Sequence, residues 1–188
     1  MPYFHTKILR LEYCNITADH VEILQTNLKD NKVLTEISLN GNPNENLHLL
    51  LNLPILSLSL RFCKIDSIRA KALAEAFNKT EIKLIHLNLS SNDVNDDGAE
   101  FVANIIRVNR TLKAFNLADN KIGNLGCAII MKSFQLFPLS QNELVLKRKI
   151  KLRLMEVIPV RILFSEKNVW FEKIITRPFL LEIAHIFL

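Results

Sequence analysis

Apolar positions along the chain follow two alternating rhythms. Leu84, Leu87 and Leu89 open a short segment that continues through Asn92, Val94 and Gly98, and a shift of 28 residues carries this set onto Leu112, Phe115, Leu117, Asn120, Ile122 and Gly126. A shift backwards by 29 gives Ile55, Leu58, Leu60, Cys63 and Ile65. Earlier copies hold Leu34, Ile37, Leu39 and Asn42, and before them Leu9, Leu11, Cys14 and Ile16. The Leu-x-Leu core has a period of two, which predicts a short strand with its leucines on one side and the intervening residues on the other. Beyond each Asn or Cys the spacing turns helical, as in Ala99, Val102, Ala103 and Ile106, and predicts helices over 18–29, 67–79, 97–109 and 125–137. The second copy departs from this, because Leu34 to Ile55 spans 21 residues and NENLHLLLNLP stands where a helix would be. A shortened outer side is expected there.

Five strand-turn-helix copies, starting near residues 6, 34, 55, 84 and 112, predict an α/β solenoid. It would be a short horseshoe with a parallel concave sheet and outer helices. The shared form, L-x-x-L-x-L-x-x-[NC]-x-L, is that of a leucine-rich repeat. The polar residue after each strand sits where the chain turns inward past loop amides that have no strand partner, and its side chain can satisfy them. Stacking then predicts a ladder of Cys14, Asn42, Cys63, Asn92 and Asn120. The repeat domain is assigned to 1–140, and 141–188 is a basic tail.

One stretch invites a different reading. In DVNDDG, Asp93, Asn95, Asp97 and Gly98 fit the first half of a calcium loop. Calcium requires a bidentate Glu at the twelfth position, and Asn104 stands there, so no metal site is assigned. The stretch is the strand-to-helix connection of its repeat, with Asn95 or Asp96 as helix N-cap and the acids at the positive helix start.

Repeat lengths of 28 and 29, with Cys and Asn sharing the ladder position, resemble the ribonuclease-inhibitor-like class of leucine-rich repeats. The resemblance is carried by LTEISLNGNPNENLHLLLNLPILSLSLRFCKID and VNRTLKAFNLADNKIG, and covers about residues 8–148. It implies a non-catalytic binding scaffold, and within the class these stretches point to a context in ciliated cells. Regulators and inhibitors of enzymes or small GTPases share the repeat type and form an alternative.

A solenoid of this kind would bind through its concave sheet, where residues between the leucines line up in columns. The first column is Ile8, Glu36, Ser57, His86 and Ala114; the second is Arg10, Ser38, Ser59, Asn88 and Asn116. The third is Glu12, Asn40, Arg61, Ser90 and Ala118, and the last is Tyr13, Gly41, Phe62, Ser91 and Asp119. Exposed aromatics and arginines dominate interface energetics. The partner-binding residues are accordingly Arg10, Glu12, Tyr13, Arg61, Phe62, His86 and Asp119, with Tyr13, Phe62, Arg10 and Arg61 as anchors. A rival placement packs Tyr13 and Phe62 over the loop edge. The expected partner is a protein, with no small-molecule substrate and no cofactor.

Composition narrows the classes further. The 188 residues are 49% hydrophobic, enough for one domain with a sizeable core. MPYFHTKILRLEYCN lacks a basic segment followed by an apolar run, so no signal peptide is predicted, the location is taken as cytoplasmic and the sequons at Asn15, Asn78, Asn88 and Asn109 as unglycosylated. Cys14, Cys63 and Cys127 are read as reduced core thiols. The five histidines are scattered, no Ser or Cys nucleophile carries a motif, and the four glycines form no phosphate loop, so no catalytic residue is assigned.

The charge is unevenly placed. Residues 1–140 carry 15 Lys and Arg against 14 Asp and Glu, whereas 141–188 carry 9 against 5. Lys147, Arg148, Lys149, Lys151 and Arg153 form the basic cluster, read as a solvated helix face after the last repeat. Without aromatic interleaving, contact with nucleic acid or a membrane surface is disfavoured. A sixth strand through Leu144 and Leu146 would put Lys149 on the ladder, so a helix over about 141–157 is expected instead. Ile162, Leu163, Phe164, Trp170 and Phe171 would cap the last repeat, or belong to the foreign end of a truncated or spliced chain.

Overall fold

Each Leu-x-Leu core forms a strand of only three residues, and each strand pairs in parallel with the next copy. In the computed structural model, which describes residues 6–79, 82–109, 111–135 and 161–163, the strands are β1 (Ile8–Arg10), β2 (Glu36–Ser38), β3 (Ser57–Ser59), β4 (His86–Asn88), β5 (Ala114–Asn116) and β6 (Arg161–Leu163). They make one six-stranded sheet in sequence order. Between them run α1 (Ala18–Leu28), α2 (Ser67–Lys79), α3 (Asp96–Val108) and α4 (Asn124–Gln135). The second copy instead has a 3₁₀ helix over Asn46–Asn52. With 21 residues from Leu34 to Ile55, that unit lacks the chain length for a full α-helix and its two connections. The fold is an α/β leucine-rich repeat solenoid.

The register aligns the copies. Ile8, Glu36, Ser57, His86 and Ala114 pair in succession, as do Arg10, Ser38, Ser59, Asn88 and Asn116. Ile37, Leu58, Leu87 and Phe115 therefore stack on the other face, and with Leu39, Leu60, Leu89 and Leu117 they are buried in one continuous core. Helices close that core from outside: Ala70, Leu73, Ala74 and Phe77 from α2, and Ala99, Val102, Ala103, Ile105 and Ile106 from α3. Small residues at 70, 74, 99 and 103 let the helices approach closely, and large ones fill the space between them. α3 is fixed at its start by the Asn95 side chain, which accepts from the Gly98 amide at 3.0 Å. Its first turn carries Asp96 and Asp97 and its last turn Arg107, both favourable with the helix dipole.

The tail contributes to the sheet. β6 pairs in parallel with β5, placing Ile162 beside Phe115 and Leu163 beside Asn116. The helix expected over 141–157, the basic cluster, and Phe164, Trp170 and Phe171 lie outside the described residues.

Two expectations about burial need correction. Cys14 is exposed rather than a core thiol, because it belongs to the first copy and no described residue stacks on its outer side. Cys63 and Cys127 are buried. Ser90, read as an outward residue, is only 3% exposed, and Ser38 likewise. The Ser38 hydroxyl is taken up by a hydrogen bond to Glu12 Oε1.

Candidate functional site: the concave sheet and its loop edge

The turns after β1 to β5 share one left-handed position. Tyr13, Gly41, Phe62, Ser91 and Asp119 all lie in the left-handed region, with φ between 53° and 71°. Only one of the five is glycine, so the conformation is imposed by the ladder: the next residue in each copy must turn inward onto it. Asn15 and Lys64 are left-handed as well, and both directly follow a ladder cysteine. The residues after Asn42, Asn92 and Asn120 are not among the positive-φ positions.

The ladder explains that difference. Asn92 reaches two copies at once: its Oδ1 accepts from the amides of Cys63 at 2.9 Å and Ile65 at 3.0 Å. Its Nδ2 donates to the carbonyls of Leu60, Leu89 and Ser90. Asn42 does the same for Cys14 and Ile16, and Asn120 accepts from Val94. A thiol has a single proton and is a weak acceptor. Cys63 donates to the carbonyls of Leu39 and Arg61, both at 3.3 Å, while Cys14 bonds Glu12 of its own turn. Burial pushes the Cys63 thiol up, outweighing the nearby backbone donors.

On the sheet itself the polar columns are knitted together. Glu12 accepts from the Ser38 hydroxyl at 2.5 Å and from Asn40 Nδ2 at 2.9 Å. Asn40 Oδ1 in turn accepts from the Ser59 hydroxyl at 2.8 Å and from the Arg61 amide at 2.9 Å. Asn88 and Asn116 each accept from the amide two residues on, at Ser90 and Ala118. Arg10 pairs loosely with Glu36 at 3.9 Å, with Arg10 exposed and Glu36 partly so, and the pair contributes little. His86 and Asp119 are exposed on the same face.

Tyr13, Arg61 and Phe62 form the distinctive part. The Tyr13 ring lies over Gly41, so closely that a Cβ on Gly41 would collide with Cδ1 and Cε1. The Arg61 guanidinium stands over the Phe62 ring, 5.2 Å from its centroid. Tyr13 remains 65% exposed and Phe62 47%. Tyr13 packs on the loop edge and still presents its ring. The structure places Arg10, Glu12 and Tyr13 on β1 and the turn after it, and Arg61 and Phe62 in the turn after β3, with β2 between them. His86 and Asp119 stand further along.

DVNDDG is consumed by the fold. Asp93 pairs with Lys121 at 2.6 Å, and the Asn95 cap also accepts from the Ser67 hydroxyl at 2.6 Å. Asp96 Oδ1 accepts from the Gly123 and Gly126 amides. Sequence reasoning missed this last role. Its signal was a glycine at the capping position of α4, with no side chain of its own, 27 residues after an acid. The Asp96 carboxylate adds to burial in raising the Cys127 thiol. Among the described residues no group of three His, Cys, Asp or Glu side chains is arranged to hold a metal ion, and no helix is long and apolar enough to cross a membrane.

Comparison with known proteins agrees with this geometry. A family model described as Leucine Rich repeat matches residues 82–103 and 108–130, the copies that contain β4 with α3 and β5 with α4. NACHT, LRR and PYD domains-containing protein 5 of Homo sapiens is similar to the chain, 29% identical over 164 residues that cover 68% of this chain and 14% of that protein. The chain therefore spans a small part of that relative's length. Leucine-rich repeats generally mediate contacts between proteins and are non-catalytic.

Proposed function

We propose that the chain is a non-catalytic scaffold that holds a protein partner on its concave sheet. The observation that carries this reading is the Tyr13, Arg61 and Phe62 cluster, two exposed rings and a cation on the one face of the sheet that the helices leave uncovered. With strands about 4.8 Å apart, Tyr13 and Phe62 are separated by roughly 10 Å, within reach of one helix or loop of a partner. Such a contact needs no cofactor and no small-molecule substrate. We further propose that the chain is of the ribonuclease-inhibitor-like class, on the resemblance of residues 34–66 and 108–123 to leucine-rich repeat-containing protein 71. A cytoplasmic and cilium-associated setting goes with that similarity.

Affinity capture with the full chain tests the reading. Tyr13→Ala combined with Phe62→Ala is expected to abolish capture of the main partner while leaving the circular dichroism spectrum and melting point nearly unaltered. Neutralising Lys147, Arg148, Lys149, Lys151 and Arg153 is expected to matter far less. If the tail changes eliminate capture and the concave changes are harmless, the basic-tail alternative replaces the scaffold reading.

A further inference from the structure

The charged groups of the concave face are not equally placed. Arg10 and Glu36 face one another. Glu12 has the Ser38 hydroxyl and the Asn40 amide. Asp119 is exposed, where water solvates a carboxylate at little cost. Arg61 differs from all of these. It is half-buried, its Nε is sealed from solvent, and among the described residues that nitrogen has no hydrogen-bond acceptor and the guanidinium no carboxylate. Arg69 is the internal comparison. Its Nε is sealed as well, but its Nη1 donates to Asp66 at 3.0 Å and to the Lys64 carbonyl at 3.3 Å, so its charge is answered within the fold.

Partial burial of a guanidinium without an acceptor is costly. The Phe62 ring, 5.2 Å from the guanidinium carbon, offsets part of this by cation–π attraction. The terminal N–H groups of the guanidinium, unlike the sealed Nε, can still meet an incoming planar acceptor, and a carboxylate matches that fork with two parallel hydrogen bonds.

We propose that the partner segment carries an Asp or Glu side chain that docks on Arg61, next to a large apolar residue that covers Phe62 and Tyr13. The inference rests on the concave-face reading and adds the chemistry of the ligand. A singly charged carboxylate suits the site better than a phosphate dianion, because Glu12, Glu36 and Asp119 share this face and repel the larger charge.

Selection of random peptides displayed against the full chain tests the proposal. Enriched sequences are expected to share an acidic residue beside an aromatic or large aliphatic one. Arg61→Gln is expected to weaken a selected peptide by roughly thirtyfold or more. Arg61→Lys is expected to restore little, since an ammonium lacks the planar fork. The melting point of Arg61→Gln should stay near the wild-type value, because loss of the Phe62 attraction is offset by removal of a sealed nitrogen that has no acceptor. Enriched peptides that lack an acid but lose binding to Tyr13→Ala or Phe62→Ala overturn the carboxylate inference and leave the concave-face reading standing. Peptides indifferent to every concave substitution overturn both. No enrichment at all, or tighter binding of phosphorylated than of acidic versions, overturns the proposal.

Discussion

The carboxylate of Asp96, the first residue of α3, caps the following helix: its Oδ1 lies 2.6 Å from the amide nitrogen of Gly123 and 3.0 Å from that of Gly126. An N-cap side chain normally comes from the helix's own preceding residue. Here Gly123 occupies that place and has none, so the previous copy supplies the acceptor. The N-termini of α3 and α4 are tied together in this way.

Asp96→Ala is therefore expected to lower stability by about 0.5–2 kcal/mol, the usual range for loss of a cap. Asp96→Asn, which keeps an oxygen acceptor but loses the charge at a helix start, should retain part of that. Urea denaturation of the three proteins checks the order. Equal stability of Asp96→Ala and the wild type would mean that water serves the Gly123 and Gly126 amides equally well.

The ladder makes a sharper contrast. Asn92 satisfies two amides of one copy and three carbonyls of its surroundings. Asn92→Ala leaves the Cys63 and Ile65 amides without an acceptor in a buried setting and is expected to cost about 1–3 kcal/mol. Cys63→Ala strands no amide of the preceding copy and should cost less. Chemical denaturation of the two variants measures the difference, and a larger loss at Cys63 would contradict the assignment of the ladder bonds.

These two sites show what was legible in the sequence. Asn92 could be found from its period alone, because the same residue type recurs wherever the same backbone amides need an acceptor. So could the strands and helices, whose alternating and helical spacings are the burial pattern itself. The left-handed column was not legible. Tyr13, Phe62 and Ser91 are not residues that mark positive φ, and only Gly41 and, more weakly, Asp119 carry the usual signal. Their conformation comes from the ladder turn, a tertiary constraint. Ser90 was misread for a similar reason, since alternation tells which face a side chain takes but not how exposed it is. Cys14 and Cys63 look identical in the repeat, and only the stacked neighbour makes one exposed and the other buried.

That difference in burial has a chemical readout. Burial raises the Cys63 thiol, and burial with the Asp96 carboxylate raises Cys127. A thiol-specific reagent at neutral pH is expected to modify exposed Cys14 promptly, and Cys63 and Cys127 only after denaturation. The same shifts set a sign for stability. Both thiols hold their protons in the fold above the ordinary value of 9.0, whereas the unfolded chain releases them there, so stability present below that pH is lost as pH rises through the folded values. A melting point that climbed with alkaline pH would contradict this.

The last expectation concerns Gly41 and Tyr13, where packing and backbone can be separated. Gly41 has φ of 71°, and a side chain at that angle would ordinarily be strained. Yet Tyr13, Phe62, Ser91 and Asp119 all sit at nearly the same angle, with φ of 53° to 57°, in the equivalent turn, so the backbone there tolerates a Cβ at a cost of about 1–2 kcal/mol. The Tyr13 ring is a separate obstacle, since it occupies the space into which a Cβ on Gly41 would project. Gly41→Ala in the wild-type chain must bear the backbone strain and also swing the ring off the loop edge. In a Tyr13→Ala background only the backbone strain remains. A double-mutant cycle is therefore expected to give a coupling of roughly 0.5–3 kcal/mol between the two positions, measured by denaturation. Near-ultraviolet circular dichroism should show the tyrosine signal altered by Gly41→Ala alone. If the two substitutions add without coupling, the ring does not rest on Gly41, and Tyr13 would be a freely mobile side chain instead of a fixed part of the concave edge.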